Sequence, residues 1–286
     1  QSLAFSPDGR LLAAGKPDRA LWMFDLQHRS KISEWNGLDS LLSVSACTFV
    51  PNGSQLLTAG RTGQILIHSV SSEGVLKEIG QFAGHSQEVT CLSVSSDGRY
   101  AVSGGQEKMA RCWEIRTGRE LGATPQFAGP IKAIHVLRGG RSALVTDGAT
   151  LVEFDFTKAE ARRQRPLARS WASGQSAAIS PDGELVAIGD SYNIHVWNAE
   201  TGQELPPLVG NEIAWSMAFT PDSTRLLSGG SSRVNVWEVR KARRIHAQST
   251  AGGSTTIKAL AISPDGKLYA AGGAPFDHLQ VFTTPR

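Results

Sequence analysis

The sequence predicts an all-β chain folded as a seven-bladed β-propeller of four-stranded antiparallel blades, the last blade lacking its outer strand. Three observations predict it. A Ser-Pro-Asp-Gly turn, whole or worn, recurs seven times, its last position falling at 9, 53, 98, 140, 183, 223 and 266. A fixed period of this size marks a repeat architecture. Short alternating runs rich in β-formers lie between the turns. An aromatic residue closes the third run in six of the seven units. Four short strands per unit, repeated radially, close into a ring that hides its sheet edges.

Unit one opens at Gln1-Ser2-Leu3-Ala4-Phe5, the middle of a first strand, turns at Ser6-Pro7-Asp8-Gly9 and ends its third strand at Trp22-Met23-Phe24-Asp25. Unit two turns at Val50-Pro51-Asn52-Gly53 and carries Ile67-His68-Ser69 where the others carry an aromatic, so it is the exception. Unit three, Glu88 to Gly129, shows the full template. Val89–Val94 alternates as a strand, Ser95-Ser96-Asp97-Gly98 turns, and Tyr100–Gly104 returns. Gln106-Glu107-Lys108 is a polar tip, Ala110–Ile115 a third strand and Thr117-Gly118-Arg119 a turn. A looser fourth strand runs through Leu121 toward Phe127. In the better copies proline pre-sets φ at the second turn position and glycine takes the last.

Unit four is the most degenerate, with Leu137-Arg138-Gly139-Gly140 for its turn and Phe154 for its aromatic. Units five and six turn at Ser180-Pro181-Asp182-Gly183 and Thr220-Pro221-Asp222-Ser223 and end their third strands at Trp197 and Trp237. Unit seven turns at Ser263-Pro264-Asp265-Gly266 and reaches Gln280-Val281-Phe282, with only Thr283-Thr284-Pro285-Arg286 after it. No segment remains for its outer strand. The termini are therefore expected in adjacent blades, and the chain, one domain over 1–286, is expected to be a fragment completed by residues ahead of Gln1.

A net charge of +3 over 286 residues does not suit the dense phosphate contacts of nucleic-acid binding, so nucleic acid is not an expected partner. The three cysteines, Cys47, Cys91 and Cys112, form no disulfide framework and favour a reducing, cytoplasmic setting. No run approaches the apolar length of a membrane helix, and no membrane partner is expected.

With Gly84-His85 and endings such as Trp113-Glu114, the chain resembles the WD-repeat β-propellers over its full length. Its style, as in Phe5-Ser6-Pro7-Asp8-Gly9-Arg10-Leu11 and Val196-Trp197-Asn198-Ala199-Glu200-Thr201-Gly202, is similar to bacterial WD-repeat domains. That resemblance implies attachment to a kinase or other signalling module. It also implies a buried structural network, for which only unit three has all four members: His85, Ser103, Glu107 and Trp113. There is no literal Trp-Asp, and Glu107 is one methylene longer than the family's aspartate.

His85 reads as a satisfied structural histidine, since a buried polar group needs such partners. His28 and His246 fall on third-to-fourth-strand turns, His68 and His195 in third strands, His135 in a first strand and His278 at a tip beside Asp277. Scattered so, they give no converging metal set. At the channel mouth the aligned first-strand positions are Gln1, Ser45, Thr90, Lys132, Gln175, Trp215 and Lys258. They hold no carboxylate or histidine for acid-base work, and no Gly-x-Ser-x-Gly elbow appears. Trp215, flanked by Lys132 and Lys258 and with Gln175 nearby, is the lead for partner binding. Two basic runs, Arg162-Arg163-Gln164-Arg165 with Arg169 and Arg240-Lys241-Ala242-Arg243-Arg244, are placed on the rim opposite the Gly-His loops and read as a solvated rim.

The expected function is a non-catalytic protein-interaction platform without cofactor or metal, binding a protein or peptide, and a sensor or regulatory domain of a larger signalling protein. The alternative is an enzyme or small-ligand propeller acting at the central channel.

Overall fold

The seven turns set the architecture. In each, the last residue donates its amide to the carbonyl three positions back, at 2.8 to 3.0 Å, from Gly9 onto Ser6 through to Gly266 onto Ser263. That last residue has positive φ every time, including Ser223 in the unit that lacks the glycine. In most copies the aspartate or asparagine side chain also accepts the amide two residues on, as Asp8 does from Arg10 at 3.0 Å.

The computed structural model describes residues 2–16, 20–35, 43–167, 176–210, 212–250, 256–274 and 278–285. Blade one holds β1 (Ser2–Phe5), β2 (Leu11–Gly15), β3 (Leu21–Asp25) and β4 (Ser30–Trp35). Blade two holds β5 (Ala46–Phe49), β6 (Gln55–Ala59), β7 (Ile65–Val70) and β8 (Leu76–Phe82). Blade three holds β9 (Val89–Val94), β10 (Tyr100–Gly105), β11 (Ala110–Glu114) and β12 (Arg119–Ala123). Blade four holds β13 (Ala133–Val136), β14 (Ser142–Thr146), β15 (Thr150–Asp155) and β16 (Glu160–Pro166). Blade five holds β17 (Ser176–Ile179), β18 (Leu185–Gly189), β19 (Asn193–Asn198) and β20 (Leu208–Val209). Blade six holds β21 (Ser216–Phe219), β22 (Arg225–Gly229), β23 (Arg233–Glu238) and β24 (Arg243–Ser249). Blade seven holds only β25 (Thr256–Ile262), β26 (Leu268–Ala274) and β27 (His278–Thr283).

Every pairing is antiparallel and sequential, and the first strands stand side by side around the axis with β1 beside β25. The ring therefore closes between the first and last blades, as the sequence predicts. Antiparallel order places the strand-two-to-three loops and the links between blades on one face, called here the entry face. The Ser-Pro-Asp-Gly turns and the third-to-fourth-strand turns lie on the other, the turn face. Among the described residues the only helical piece is a 3-10 turn at Val239–Lys241. None is a helix long and apolar enough to cross a membrane.

The core lies between blades. In blades two, three, five and six the ring that ends the third strand packs on the end of the preceding blade's outer strand or the residue just after it. Phe82 stacks on Trp113 with centroids 5.4 Å apart, and Trp35 meets His68 edge-on at 4.5 Å. Leu167 shares a cluster with Trp197, and Leu208 with Trp237. Aromatic pairs of this kind add about 0.5–1.5 kcal/mol beyond their buried area.

Four local expectations are corrected. The outer strand of blade three is β12 and stops at Ala123, so Phe127 lies in the following link. His246 lies within β24, because the 3-10 turn reverses the chain at once. His278 begins β27 rather than capping a tip. The basic run from Arg162 to Arg165 lies in β16, on the outer wall rather than a rim, since the turn before it is only Phe156 to Ala159. Blade five has the weakest outer strand because Pro206 and Pro207 carry no amide to donate into the ladder.

Candidate functional site

In blade three one polar chain runs from the entry face into the core. Trp113 Nε1 donates to Ser103 Oγ at 2.7 Å, and Ser103 Oγ pairs with His85 Nε2 at 2.7 Å. His85 Nδ1 pairs with Glu107 Oε2 at 2.9 Å. Glu107 also accepts from the Ser86 amide at 3.1 Å and from Arg111, which bridges on to Glu120 at 2.9 Å. The partners assign Nδ1–H to the donor role and Nε2 to the acceptor role. Burial pushes the His85 ring below its usual value against the opposing pull of Glu107. Burial alone would raise Glu107, but hydrogen bonds from Arg111, Ser86 and His85 hold it below its ordinary value. The extra methylene of glutamate is thus accommodated by Arg111. A methyl on Gly84 would sit 2.6 Å from Trp113 Cη2, so the glycine before His85 is set by the close approach of the indole.

The motif survives elsewhere in altered form. In blade two His68 takes the tryptophan's place and its Nε2 bonds Thr58 Oγ1 at 2.8 Å, ten residues back, as Trp113 bonds Ser103. The aromatic exception in the sequence is therefore a substitution that keeps the hydrogen bond, and Trp35 fills the space. His68 is fully buried, its Nδ1 has no hydrogen-bond partner among the described residues, and burial lowers its pKa to about 4. In blade six Trp237 Nε1 donates to Ser228 Oγ at 2.9 Å. In blade five His195 stands where Arg111 does, between Glu204 at 2.6 Å and Asp190 at 3.2 Å. No group of three or more His, Cys, Asp or Glu able to hold a metal occurs among the described residues.

The central channel encloses about 1020 Å³ and is lined from all seven aligned mouth positions or their neighbours: Ser2, Ser45, Thr90, Lys132, Ser176, Trp215 and Lys258. Gln1, Gln175 and Arg169 lie outside the described residues. Trp215 is anchored by its amide on Gly229 O at 2.8 Å, while 36% of its surface stays exposed. Lys258 is the extra residue of a bulge, since Ile257 pairs Gly273 and Ala259 pairs Gly272. Bulges re-aim side chains in this way. Burial lowers Lys132 from its ordinary value, with Asp147 opposing. Neither lysine has an ion-pair partner among the described residues.

Asp147 is the one carboxylate among the described lining residues. It accepts the amides of Gly129, Ala149 and Thr150 at 3.1, 2.9 and 2.8 Å, so its oxygens serve the loop. Cys47 and Cys91 also line the channel, and burial pushes both thiols up to about 11.

Two exposed residues on the entry face carry no sequence signal as a pair: Tyr192, at 66%, in the β18–β19 loop, and Val209, at 59%, at the end of β20. Both belong to blade five, the neighbour of the blade that holds Trp215. The basic runs are largely neutralised. Arg162 pairs with Asp155, Arg240 with Glu184 at 2.7 Å, and Lys241 and Arg243 with Glu238 at 2.7 and 2.8 Å.

Residues 76–114 and 204–238 match the family described as WD domain, G-beta repeat. These segments contain the two tryptophan–serine pairs. The chain is 24% identical over 280 residues to a Periodic tryptophan protein 2 homolog of Dictyostelium discoideum, covering 94% of this chain and 29% of that protein. It is 21% identical over 272 residues to WD repeat-containing protein slp1 of Schizosaccharomyces pombe, covering 94% and 46%. It is 25% identical over 232 residues to a U3 small nucleolar RNA-associated protein 15 homolog of Xenopus tropicalis, covering 79% and 43%. The chain thus spans less than half the length of these curated relatives. Fold and matches together support a WD-repeat propeller. These relatives are eukaryotic and lend nothing to a bacterial type.

Proposed function

We propose that the chain is a non-catalytic protein-interaction platform that receives a protein or peptide partner on the entry face, at the channel mouth beside blades five and six. The observation that carries this is Trp215, backbone-anchored and exposed, lining one channel with Lys132 and Lys258, which have no ion-pair partner among the described residues. Large aromatics near cations are typical interface anchors. The blades supply a rigid frame, and the loops carry the variable side chains. Tyr192 and Val209 of blade five add exposed apolar surface on the same entry face.

A channel enzyme is the weaker reading, because acid-base work needs a poised pair and Asp147 is committed to three amides. The exclusion of nucleic acid is not kept: one relative is by name U3 small nucleolar RNA-associated, so a ribonucleoprotein partner is compatible with the platform reading. A role as the sensor of a larger signalling protein rests on the resemblance alone, and none of the relatives' names carries it. Three free cysteines support a reducing compartment such as the cytoplasm.

The test compares partner retention by wild type, Trp215→Ala, Lys132→Glu with Lys258→Glu, and an outer-wall control, Arg163→Ala. Loss on the mouth variants with retention by the control supports the proposal. Equal retention by all four sinks it.

A further inference from the structure

A second concavity lies on the turn face, remote from the channel mouth. It encloses about 680 Å³ between blades two and three. Its walls include Ile67, Ile79, Tyr100 and Ile115, with Arg99 and Arg116 at its edge. Ile79, on outer strand β8, leaves 51% of its surface exposed.

The repeat supplies its own control. Ile32 on β4 is the counterpart of Ile79, each three residues before the aromatic that caps the next blade's ring. Between blades one and two the chain fills the equivalent space itself. A methyl on Gly74 would sit 2.3 Å from Ile32 Cδ1, so the isoleucine lies directly on that turn. Ser33 Oγ donates to Gly74 O at 2.9 Å, and Arg10 donates to Ser72 O. Two differences leave the next gap open. The blade-three turn, Arg116-Thr117-Gly118, is one residue shorter than Ser71-Ser72-Glu73-Gly74. Blade two also has Ser54 where blade one has Arg10.

We propose that this cleft is a docking site for a short acidic segment of a partner protein, which seats one bulky apolar side chain on Ile79. The filled cleft shows that a turn of chain fits the space. Charge selects the occupant. Arg116 is exposed and has no ion-pair partner among the described residues. Arg99 reaches Asp97 only at 3.8 Å. Glu114, the one carboxylate among the described lining residues, already accepts from Thr117 Oγ1. Arg116 and the loosely paired Arg99 beside an apolar wall match a carboxylate next to an apolar side chain.

The test titrates isoleucine-methyl-labelled protein with the peptide Gly-Ser-Asp-Leu-Glu-Ser-Gly to low-millimolar concentration. The expected result is saturable shifts at the Ile67, Ile79 and Ile115 methyls. Affinity should fall by about tenfold or more in Ile79→Glu and in Arg116→Glu, both at exposed positions, and stay unchanged in Trp215→Ala. Replacing both peptide acids by lysine, or its leucine by serine, should abolish the shifts. The inference is overturned if no shifts occur, if the lysine peptide binds equally, if the cleft variants bind like wild type, or if Trp215→Ala removes binding.

Discussion

Lowering the pH should destabilise blade two through His68. The ring is fully buried, bonds only Thr58, through Nε2, among the described residues, and has its pKa lowered by burial from 6.5 to about 4. A protonated ring would carry a second N–H with no acceptor among the described residues. The unfolded chain takes up the proton first as pH falls. Stability is therefore intact above about 6.5, declines toward pH 4 and loses nothing more from this group below it. The shift corresponds to about 3 kcal/mol in full, and about 2 kcal/mol of it is lost by about pH 5. His85 and His135 are also lowered by burial. They are common to wild type and variant, so His68→Phe isolates the effect. The phenyl ring keeps the edge contact with Trp35 but orphans Thr58, at a cost of about 1–3 kcal/mol near pH 7.5. Urea denaturation of both proteins between about pH 7.5 and pH 5 measures the gap. It should narrow by about 2 kcal/mol and approach or cross zero. A gap constant with pH would refute a neutral buried His68.

His85→Ala should cost about 1–3 kcal/mol in unfolding free energy by leaving Ser103 and Glu107 short of a partner. It should leave partner binding intact, and lost binding at unchanged stability would contradict a structural role. Cys47 and Cys91, with thiols pushed up to about 11, should alkylate far more slowly near pH 7.5 than free cysteine, their thiolate fraction being roughly one in 3,000. Rapid labelling of either would refute their desolvation. β27 has no strand on its outer side among the described residues, so a β-forming extension of about ten residues ahead of Gln1 that pairs this edge should raise the melting temperature. An unchanged melting temperature would show that the edge gains nothing from a partner.

The ring was legible because its signal is periodic: each Ser-Pro-Asp-Gly copy makes the same amide-to-carbonyl closure, even where Gly139-Gly140 or Ser223 has replaced part of it. The buried chain in blade three was legible because His85, Ser103 and Trp113 sit at family spacings. His68 was not, because imidazole and indole share a hydrogen-bonding nitrogen but no sequence symbol. The sector around Trp215 was half legible. Aligned first strands point to Trp215, Lys132 and Lys258. The exposure of Tyr192 and Val209 on the same face shows only once blade five is folded. The cleft at Ile79 was not legible at all. It depends on a one-residue difference in turn length between blades two and three, together with Ser54 in the place of Arg10, and neither has meaning until the blades are side by side.

The platform account stands most directly on one number, the dissociation constant of a purified partner for Trp215→Ala relative to wild type. The account predicts weakening of about 30-fold or more, the equivalent of about 2 kcal/mol, at an unchanged melting temperature. An unchanged dissociation constant for a correctly folded Trp215→Ala would contradict it.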